Sequence, residues 1–161
     1  MQQEELEQLH PASYAWSLSC CRRDRLEAEE VLQDVYVKIF EGKARFDGRS
    51  SLKTWLFAVI RRTAASRARR RVVRDLLLAK WAREQVDVAP PRVEQFDVGA
   101  ILLAALQKLA RRQREVLELV FYHDMTIEEA AVALNVSIGS ARVHYQRGKK
   151  QLLAQLDGKL G

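Results

Sequence analysis

The sequence predicts an all-α protein with two small helical domains joined by a linker. Gly and Pro, which interrupt helices, number only seven and three among 161 residues. Apolar residues recur every three or four positions, and no long stretch alternates apolar and polar residues as strands do. The segment 86–97 contains two of the three prolines and is predicted to be the linker. The predicted domains therefore cover residues 1–85 and 98–161.

The first predicted helix covers about residues 5–22. Pro11 fits the first turn of a helix, so a break near His10 and Pro11 is left open. Tyr14 and Leu18 share one side of this helix and are predicted to pack into the core of a small bundle.

The second predicted helix, residues 26–42, has an apolar surface wider than one core stripe needs. Its first half carries four acids and no Lys or Arg. The acids from Glu27 to Glu30 favour the helix dipole, whereas Asp34 lies beyond the first turn and is a candidate for a partner contact. An apolar centre with a charged margin is typical of recognition between helices.

A loop and a basic helix follow. The segment Phe46–Ser51 contains an Asp-Gly turn signal, and Ser50 or Ser51 can cap the next helix. Between residues 61 and 74 the sequence has seven Arg and no acid. Such a helix can offer a dense positive side to a phosphate backbone.

Two aromatic residues, Trp55 and Phe57, lie just before those arginines. A mixture of rings and cations suits single-stranded nucleic acid, because bases stack on rings and cations follow the backbone. Two alternatives are left open. Trp55 can be a core anchor, and the arginine run can be a solvated helix face.

Residues 98–109 and 112–122 are predicted to form two further helices, with Val116, Leu119 and Val120 facing inward in the second.

The stretch from Thr126 to Lys150 has the form of a helix, a tight turn and a second helix. Thr126 can accept a backbone N–H at the start of the first helix. Asn135 follows that helix and tolerates the left-handed conformation that a helix end needs. Ser137 can cap the second helix.

The second of these helices is basic, with four Lys or Arg and no acid from residue 137 to 150. Arg142 and Gln146 are of the types that read base edges, while Arg147, Lys149 and Lys150 suit phosphates. This layout is typical of a helix-turn-helix that places its second helix in the DNA major groove. The alternative is an antiparallel helix pair whose basic face is only solvated.

Charge and composition narrow the function classes. The net charge of +6 and a pI near 9.6 favour nucleic acid as partner, and a membrane surface less strongly. The three histidines are scattered and lack the spacing of metal ligands, and no Gly-rich phosphate loop is present. We therefore expect no enzyme activity, no catalytic residue, no metal and no cofactor.

The sequence also indicates a compartment. Cys20 and Cys21 are adjacent and do not face each other on a helix, so a disulfide between them is not expected. No apolar run reaches membrane-spanning length, and the acidic start of the chain does not resemble a signal peptide. The expected location is the cytoplasm, without membrane insertion.

With these residues in view, the chain resembles a bacterial sigma factor of the sigma-70 family, extracytoplasmic-function (ECF) group, over nearly its whole length. AEEVLQDVYVKIFE (residues 28–41) is similar to the region two helix that clamps core RNA polymerase. FDGRSSLKTWLFAVIRRTA (46–64) is similar to the promoter-melting segment, and LARRQREVLELVFYHDMTIEEAAVALNVSIGSARVHYQRGKKQL (109–152) to region four. Each motif alone is moderately specific, but their order around a Pro-containing linker is highly specific.

The resemblance implies three binding surfaces. Core RNA polymerase would be met by Leu32, Gln33, Asp34 and Val35. The melted minus-ten element, with one base flipped out, would be held by Phe46, Asp47, Gly48, Arg49, Ser50, Ser51 and Arg62, and the arginines after Arg62 would follow the strand. The minus-thirty-five element would be read by Ser140, Arg142, Val143, Gln146 and Arg147.

Two positions depart from the family pattern. Arg62 stands where many members carry Asn. An Arg at this position suits a contact to phosphate as well as a contact to a base. His144 stands where many carry Arg, which weakens the phosphate contact expected there.

The resemblance implies a sigma factor that binds core RNA polymerase and directs promoter recognition, DNA melting and transcription initiation. It also implies regulation by an anti-sigma factor, which would cover the face from Leu26 to Phe40. The rival hypothesis is a stand-alone helix-turn-helix transcriptional regulator, which would bind DNA specifically without polymerase.

Overall fold

A computed structural model describes residues 2–80 and 98–160 of the chain. The predicted linker, residues 86–97, lies outside this described part. The described residues contain seven α-helices, one of which continues into a π-helical turn, and no strand. The predicted all-α class is therefore confirmed. The helices group into two compact units, which are described separately: α1–α3 form the first, and residues from Val98 onward form most of the second.

The first unit is a three-helix bundle of α1 (Gln2–Cys20), α2 (Arg25–Phe40) and α3 (Leu52–Ala79), and each helix packs against the other two. Helix α1 runs through Pro11 without a break. Asp24 caps α2 by accepting the Glu27 N–H at 3.2 Å, and Ser51 caps α3 by accepting the Thr54 N–H at 3.1 Å. Of the two serines predicted as caps, Ser51 therefore fills that role.

Trp16 is the largest buried side chain of this bundle. Its ring stacks on Phe57 at 5.7 Å between centroids, and its indole N–H donates to the Phe57 carbonyl at 3.0 Å. Tyr14 and Leu18 are only half-buried. The prediction that their side of α1 forms its core face is therefore wrong. The buried face consists of Leu6, Ser13, Trp16 and Ser17. Small serines let α1 approach closely, and the Ser17 hydroxyl donates to the Ala28 carbonyl of α2 at 2.9 Å.

The described residues from Val98 onward form α4 (Val98–Gln107), α5 (Arg111–Leu117), α6 (Ile127–Leu134) and α7 (Ile138–Leu160). Helices α4 and α5 pack against α7. Val116 and Leu119 are buried as predicted, whereas Val120 is half-buried. The last five residues of the helix predicted over residues 112–122, Glu118–Tyr122, form the π-helical turn that follows α5.

A glycine sets the contact between α5 and α7. Gly148 is buried, and a Cβ added there would lie 3.0 Å from the Gln113 Cβ and 3.2 Å from the Leu117 Cδ1. The two helices therefore approach more closely at this point than a side chain on α7 would allow.

Candidate polymerase-binding and nucleic-acid-binding surfaces

The outer face of α2 carries exposed apolar side chains. Leu26, Val37 and Phe40 are 67%, 51% and 72% exposed, and Gln33 lies exposed on the same helix. Leu32 and Val35, predicted to touch polymerase, are 3% and 0% exposed. That prediction is corrected: these two side chains face the bundle core, where they hold α2 in place and cannot reach a partner. We call Leu26, Gln33, Val37 and Phe40 the outer stripe.

The acids of α2 are paired with α3. Arg67 donates to Glu27 at 2.8 Å, to Glu30 at 2.5 Å and to Asp34 at 2.7 Å, and Arg71 also bonds Glu27. We call these five residues the acid–arginine cluster. Their ion pairs show that the acids do more than favour the dipole of α2. Asp34 remains 43% exposed while it is paired with Arg67, so part of its side chain still faces solvent.

Electrostatics within the cluster follows from these hydrogen bonds. The pKa of Glu27 is lowered from its ordinary 4.5, first by the hydrogen bonds from Arg67 and then by the charges of Arg67 and Arg71, while burial opposes the shift. The same hydrogen bonds raise the pKa of Arg67. Glu27, whose side chain is only 12% exposed, therefore stays a carboxylate to a lower pH than an ordinary glutamate does.

The loop between α2 and α3 is open to solvent at its tip, where Asp47, Gly48 and Arg49 are exposed. Asp47 accepts the Arg49 backbone N–H at 3.1 Å, and Gly48 has a positive φ of 77°, which suits glycine. At the base of the loop, the Phe46 ring meets Trp55 at 5.5 Å between centroids with a 57° tilt. Trp55 is half-buried, so it packs on one side and leaves part of its ring accessible.

A basic cleft of about 670 Å³ adjoins this aromatic pair. Its cations and its aromatic residue are Lys38, Lys43, Arg45, Arg61, Arg62, Arg69 and Trp55. A smaller cavity of about 280 Å³ shares Arg45 and Trp55 with the cleft and is also lined by Phe46 and Leu52. The arginines of α3 thus divide between two faces, since Arg62 and Arg69 line the cleft while Arg67 binds the acids of α2.

The helix-turn-helix has the local geometry that was predicted. Thr126 Oγ1 accepts the Glu129 N–H at 3.1 Å, and Glu129 Oε1 accepts the Thr126 N–H at 3.1 Å, which together form a capping box. Asn135 adopts a left-handed φ of 56°. Ser137 Oγ accepts the Ser140 N–H at 3.1 Å and so caps α7. These three predictions are confirmed.

Helix α7 presents its predicted base-reading residues to solvent. The five residues of this set are all exposed, namely Ser140, Arg142, Val143, Gln146 and Arg147. We call them the α7 face. Ala141 and Gly148 lie on the buried side, so the two sides of the helix are well separated. Ile138, at the start of α7, is 44% exposed.

Several residues at these surfaces were not predicted. Lys38, Lys43 and Arg45 come from α2 and the loop, and they enter the cleft only because α2 packs on α3. Glu128 of α6 lies 3.4 Å from Arg142 of α7. No local pattern signals either grouping, because the partners lie on different helices.

Among residues 2–80 and 98–160, no group of three or more His, Cys, Asp or Glu side chains could hold a metal ion. Cys20 and Cys21 are not joined in a disulfide with each other, and both are half-buried. Burial, first, and the charge of Glu27 raise the pKa of the Cys21 thiol to about 11. Within the same described ranges, no helix is both long and apolar enough to cross a membrane.

The Sigma-70 region 2 family matches residues 6–74, and the Sigma-70 region 4 family matches residues 99–152. The ECF RNA polymerase sigma factor SigX of Bacillus subtilis is 29% identical over 142 residues, covering 84% of this chain and 73% of SigX. The ECF RNA polymerase sigma factor EcfG of Rhodopseudomonas palustris is 32% identical over 138 residues, covering 81% and 73%.

Two solved structures are similar in fold. The sigma factor RpoE, in complex with the anti-sigma factor NepR from Bartonella quintana, is 26% identical with a TM-score of 0.74 and covers 98% of this chain and 97% of its own. CnrH, in complex with the cytosolic domain of CnrY, has a TM-score of 0.64 at 23% identity and covers 99% and 91%. This second likeness concerns the fold alone.

A three-helix unit with a basic cleft and a second unit with a helix-turn-helix define a transcription initiation factor that directs RNA polymerase to promoters. The chain belongs to the sigma-70 family, in its ECF group. A stand-alone helix-turn-helix regulator is not favoured, because the region 2 match accounts for the N-terminal half as well.

Proposed function

We propose that this sigma factor divides its work among three surfaces and the two predicted domains, residues 1–85 and 98–161, with 86–97 as linker. The outer stripe of α2 and Asp34 bind core RNA polymerase. The loop Phe46–Ser51 and the basic cleft take the melted minus-ten element. The α7 face reads the minus-thirty-five element. The observation that carries this proposal is the basic cleft, where six cations from two helices and a loop surround an accessible tryptophan.

The cleft suits a separated strand better than a duplex. Flipping a base out of the stack costs a few kcal/mol, and stacking on an aromatic ring contributes about 1–3 kcal/mol per base. Trp55 and Phe46 supply rings beside the loop, while Arg62 and Arg69 supply charge along the cleft. Binding the melted strand there offsets the energy of opening the promoter.

The α7 face suits duplex DNA. Arg142 and Gln146 lie one helical turn apart and are both exposed, so they can reach neighbouring base edges in the major groove. Two small domains on one chain can each bind weakly and still act together, because the second contact is effectively intramolecular.

An anti-sigma factor is a further proposed partner. The similar structure RpoE is described in a complex with the anti-sigma factor NepR. In this chain the outer stripe exposes Leu26, Val37 and Phe40, an apolar surface that such a partner would cover in competition with polymerase. We place this binding equilibrium in the cytoplasm, where the polymerase acts, and we assign no bond chemistry to the chain.

The test is run-off transcription by core RNA polymerase with and without the purified chain, on a library of genomic DNA fragments. The chain should produce promoter-dependent transcripts only with core enzyme. Arg142→Ala should weaken binding to the minus-thirty-five element by about 1–3 kcal/mol and relax its sequence preference. If no promoter-dependent transcript appears, or if the chain alone binds one DNA sequence tightly, the proposal is wrong.

A further inference from the structure

A carboxylate of α6 stands beside the α7 face. Glu128 Oε1 lies 3.4 Å from Arg142 Nη2, and the two side chains are 55% and 62% exposed. From residue 137 to 150 the sequence has four cations and no acid. Glu128 therefore brings a negative charge from α6 to Arg142, one of the proposed base-reading side chains of the basic helix.

Glu129, the residue next to Glu128, already caps the start of α6. Glu129 accepts the Thr126 N–H and completes the capping box of α6. Glu128 lies in the same first turn, but its carboxylate is directed across the helix pair to Arg142. Its position is therefore not explained by helix capping.

We propose that Glu128 is a positioning and specificity-determining residue for minus-thirty-five recognition, acting through Arg142; this inference rests on the proposed role of the α7 face. A guanidinium has five N–H donors, and the contact with Glu128 uses one nitrogen. The remaining donors stay available for the two acceptors that guanine offers in the major groove. The ion pair thus limits the orientations of Arg142 without consuming its reading capacity.

The negative charge of Glu128 has a second effect. A carboxylate beside the major groove opposes the attraction between the basic helix and phosphates, and it does so at every DNA sequence. A matched base offsets this penalty through the oriented Arg142, whereas a mismatched base does not. Glu128 therefore lowers binding to wrong sequences more than binding to the correct one.

The expected effect is modest because the pair is exposed to solvent and salt. Glu128→Gln should raise affinity for mismatched minus-thirty-five sequences and lower the ratio of matched to mismatched binding by roughly two- to fivefold. Glu128→Ala should lower that ratio at least as much, since it also removes the contact that orients Arg142. In an Arg142→Ala background, neither change should affect the ratio.

The experiment measures binding of the full-length chain, assembled with core polymerase, to a promoter that it transcribes and to the same promoter with a scrambled minus-thirty-five element. Asp157→Asn is the matched control, because it removes one negative charge from an exposed position near the far end of α7. It should leave the ratio unchanged.

The outcomes separate the two proposals. If the wild-type holoenzyme does not distinguish the two promoters, the proposed role of the α7 face fails. If it does and Arg142→Ala reduces the ratio, but both Glu128 variants match wild type, the inference on Glu128 is overturned while the α7 face stands. An equal effect of Asp157→Asn, or an undiminished effect of Glu128→Ala in the Arg142→Ala background, also overturns it.

Discussion

Replacing Arg67 with Met tests the acid–arginine cluster. The change removes the guanidinium that binds Glu27, Glu30 and Asp34 and keeps a side chain of similar length. Breaking a fully buried ion pair costs about 3–5 kcal/mol. Here Arg67 is 25% exposed and two of its three partners are more than 40% exposed, so water compensates part of the loss. We expect the free energy of unfolding of the first unit to fall by about 2 kcal/mol.

The loss should depend on pH in a defined direction. The folded-state pKa of Glu27 is depressed below its ordinary 4.5, with hydrogen bonds from Arg67 as the first cause. A depressed carboxyl pKa contributes stability above the unfolded pKa, and this contribution disappears as the pH falls through the folded pKa. The difference in stability between wild type and Arg67→Met should therefore be largest near neutral pH and shrink below about pH 4.5.

The measurement is urea unfolding at pH 7 and at pH 4, followed through tryptophan fluorescence, since all three tryptophans lie between residues 16 and 81. Arg69→Met is the matched control. It makes the same change on the same helix at an exposed residue that lines the cleft, and it should alter stability by less than about 0.5 kcal/mol.

For DNA binding we expect the opposite ranking of the two variants, with the larger effect from Arg69→Met. Arg69→Met should lower the salt dependence of binding by about 0.7–0.9 unit of slope, the loss of one phosphate contact, whereas Arg67→Met should leave the slope unchanged. If the free energy of unfolding of Arg67→Met at pH 7 lies within 0.5 kcal/mol of the wild-type value, the cluster is a solvated surface feature. The reasoning about its burial is then refuted.

Three further predictions concern the helices from α5 to α7 and can be checked by thermal or urea unfolding. Gly148→Ala should destabilise the folded protein by about 1 kcal/mol, because the added Cβ meets Gln113 at 3.0 Å. At Gly158 an added Cβ meets open space, so Gly158→Ala should instead stabilise the fold by up to about 1 kcal/mol. Equal changes in stability for the two variants would contradict the close packing of α5 on α7. Asn135→Ala should cost about 1 kcal/mol because φ is 56°, and Asn135→Gly should restore stability. Thr126→Ala should cost about 1 kcal/mol through loss of the capping box, which an unchanged midpoint would disprove.

Features that depend on near neighbours in the chain were predictable. Helix faces repeat every three to four residues, so the apolar pattern alone was enough to predict an all-α fold. Thr126, Asn135 and Ser137 were predicted correctly because each acts on backbone groups within a few residues of itself. The face of α7 that carries Arg142 was predictable for the same reason.

Features that depend on how one helix lies against another were not predictable from the sequence. The sequence placed Arg62 and Arg67 in one basic run, yet packing of α3 on α2 sends Arg62 to the cleft and Arg67 to the acids. It also ranked Leu32 beside Gln33 as a polymerase contact, although Leu32 lies in the core. A periodic pattern defines the faces of a helix but not which neighbour each face meets.

Composition, periodicity and short-range caps thus determined the class of this chain, its helices and the exposed basic face of α7, because each of these is encoded within one or two helical turns. Only tertiary packing decided which arginines line the basic cleft and which bind carboxylates, where α5 and α7 meet at Gly148, and that Glu128 stands beside Arg142. The physical reason is that these contacts join residues 14 to 44 positions apart, and the relative orientation of two helices is set by the whole core that packs between them.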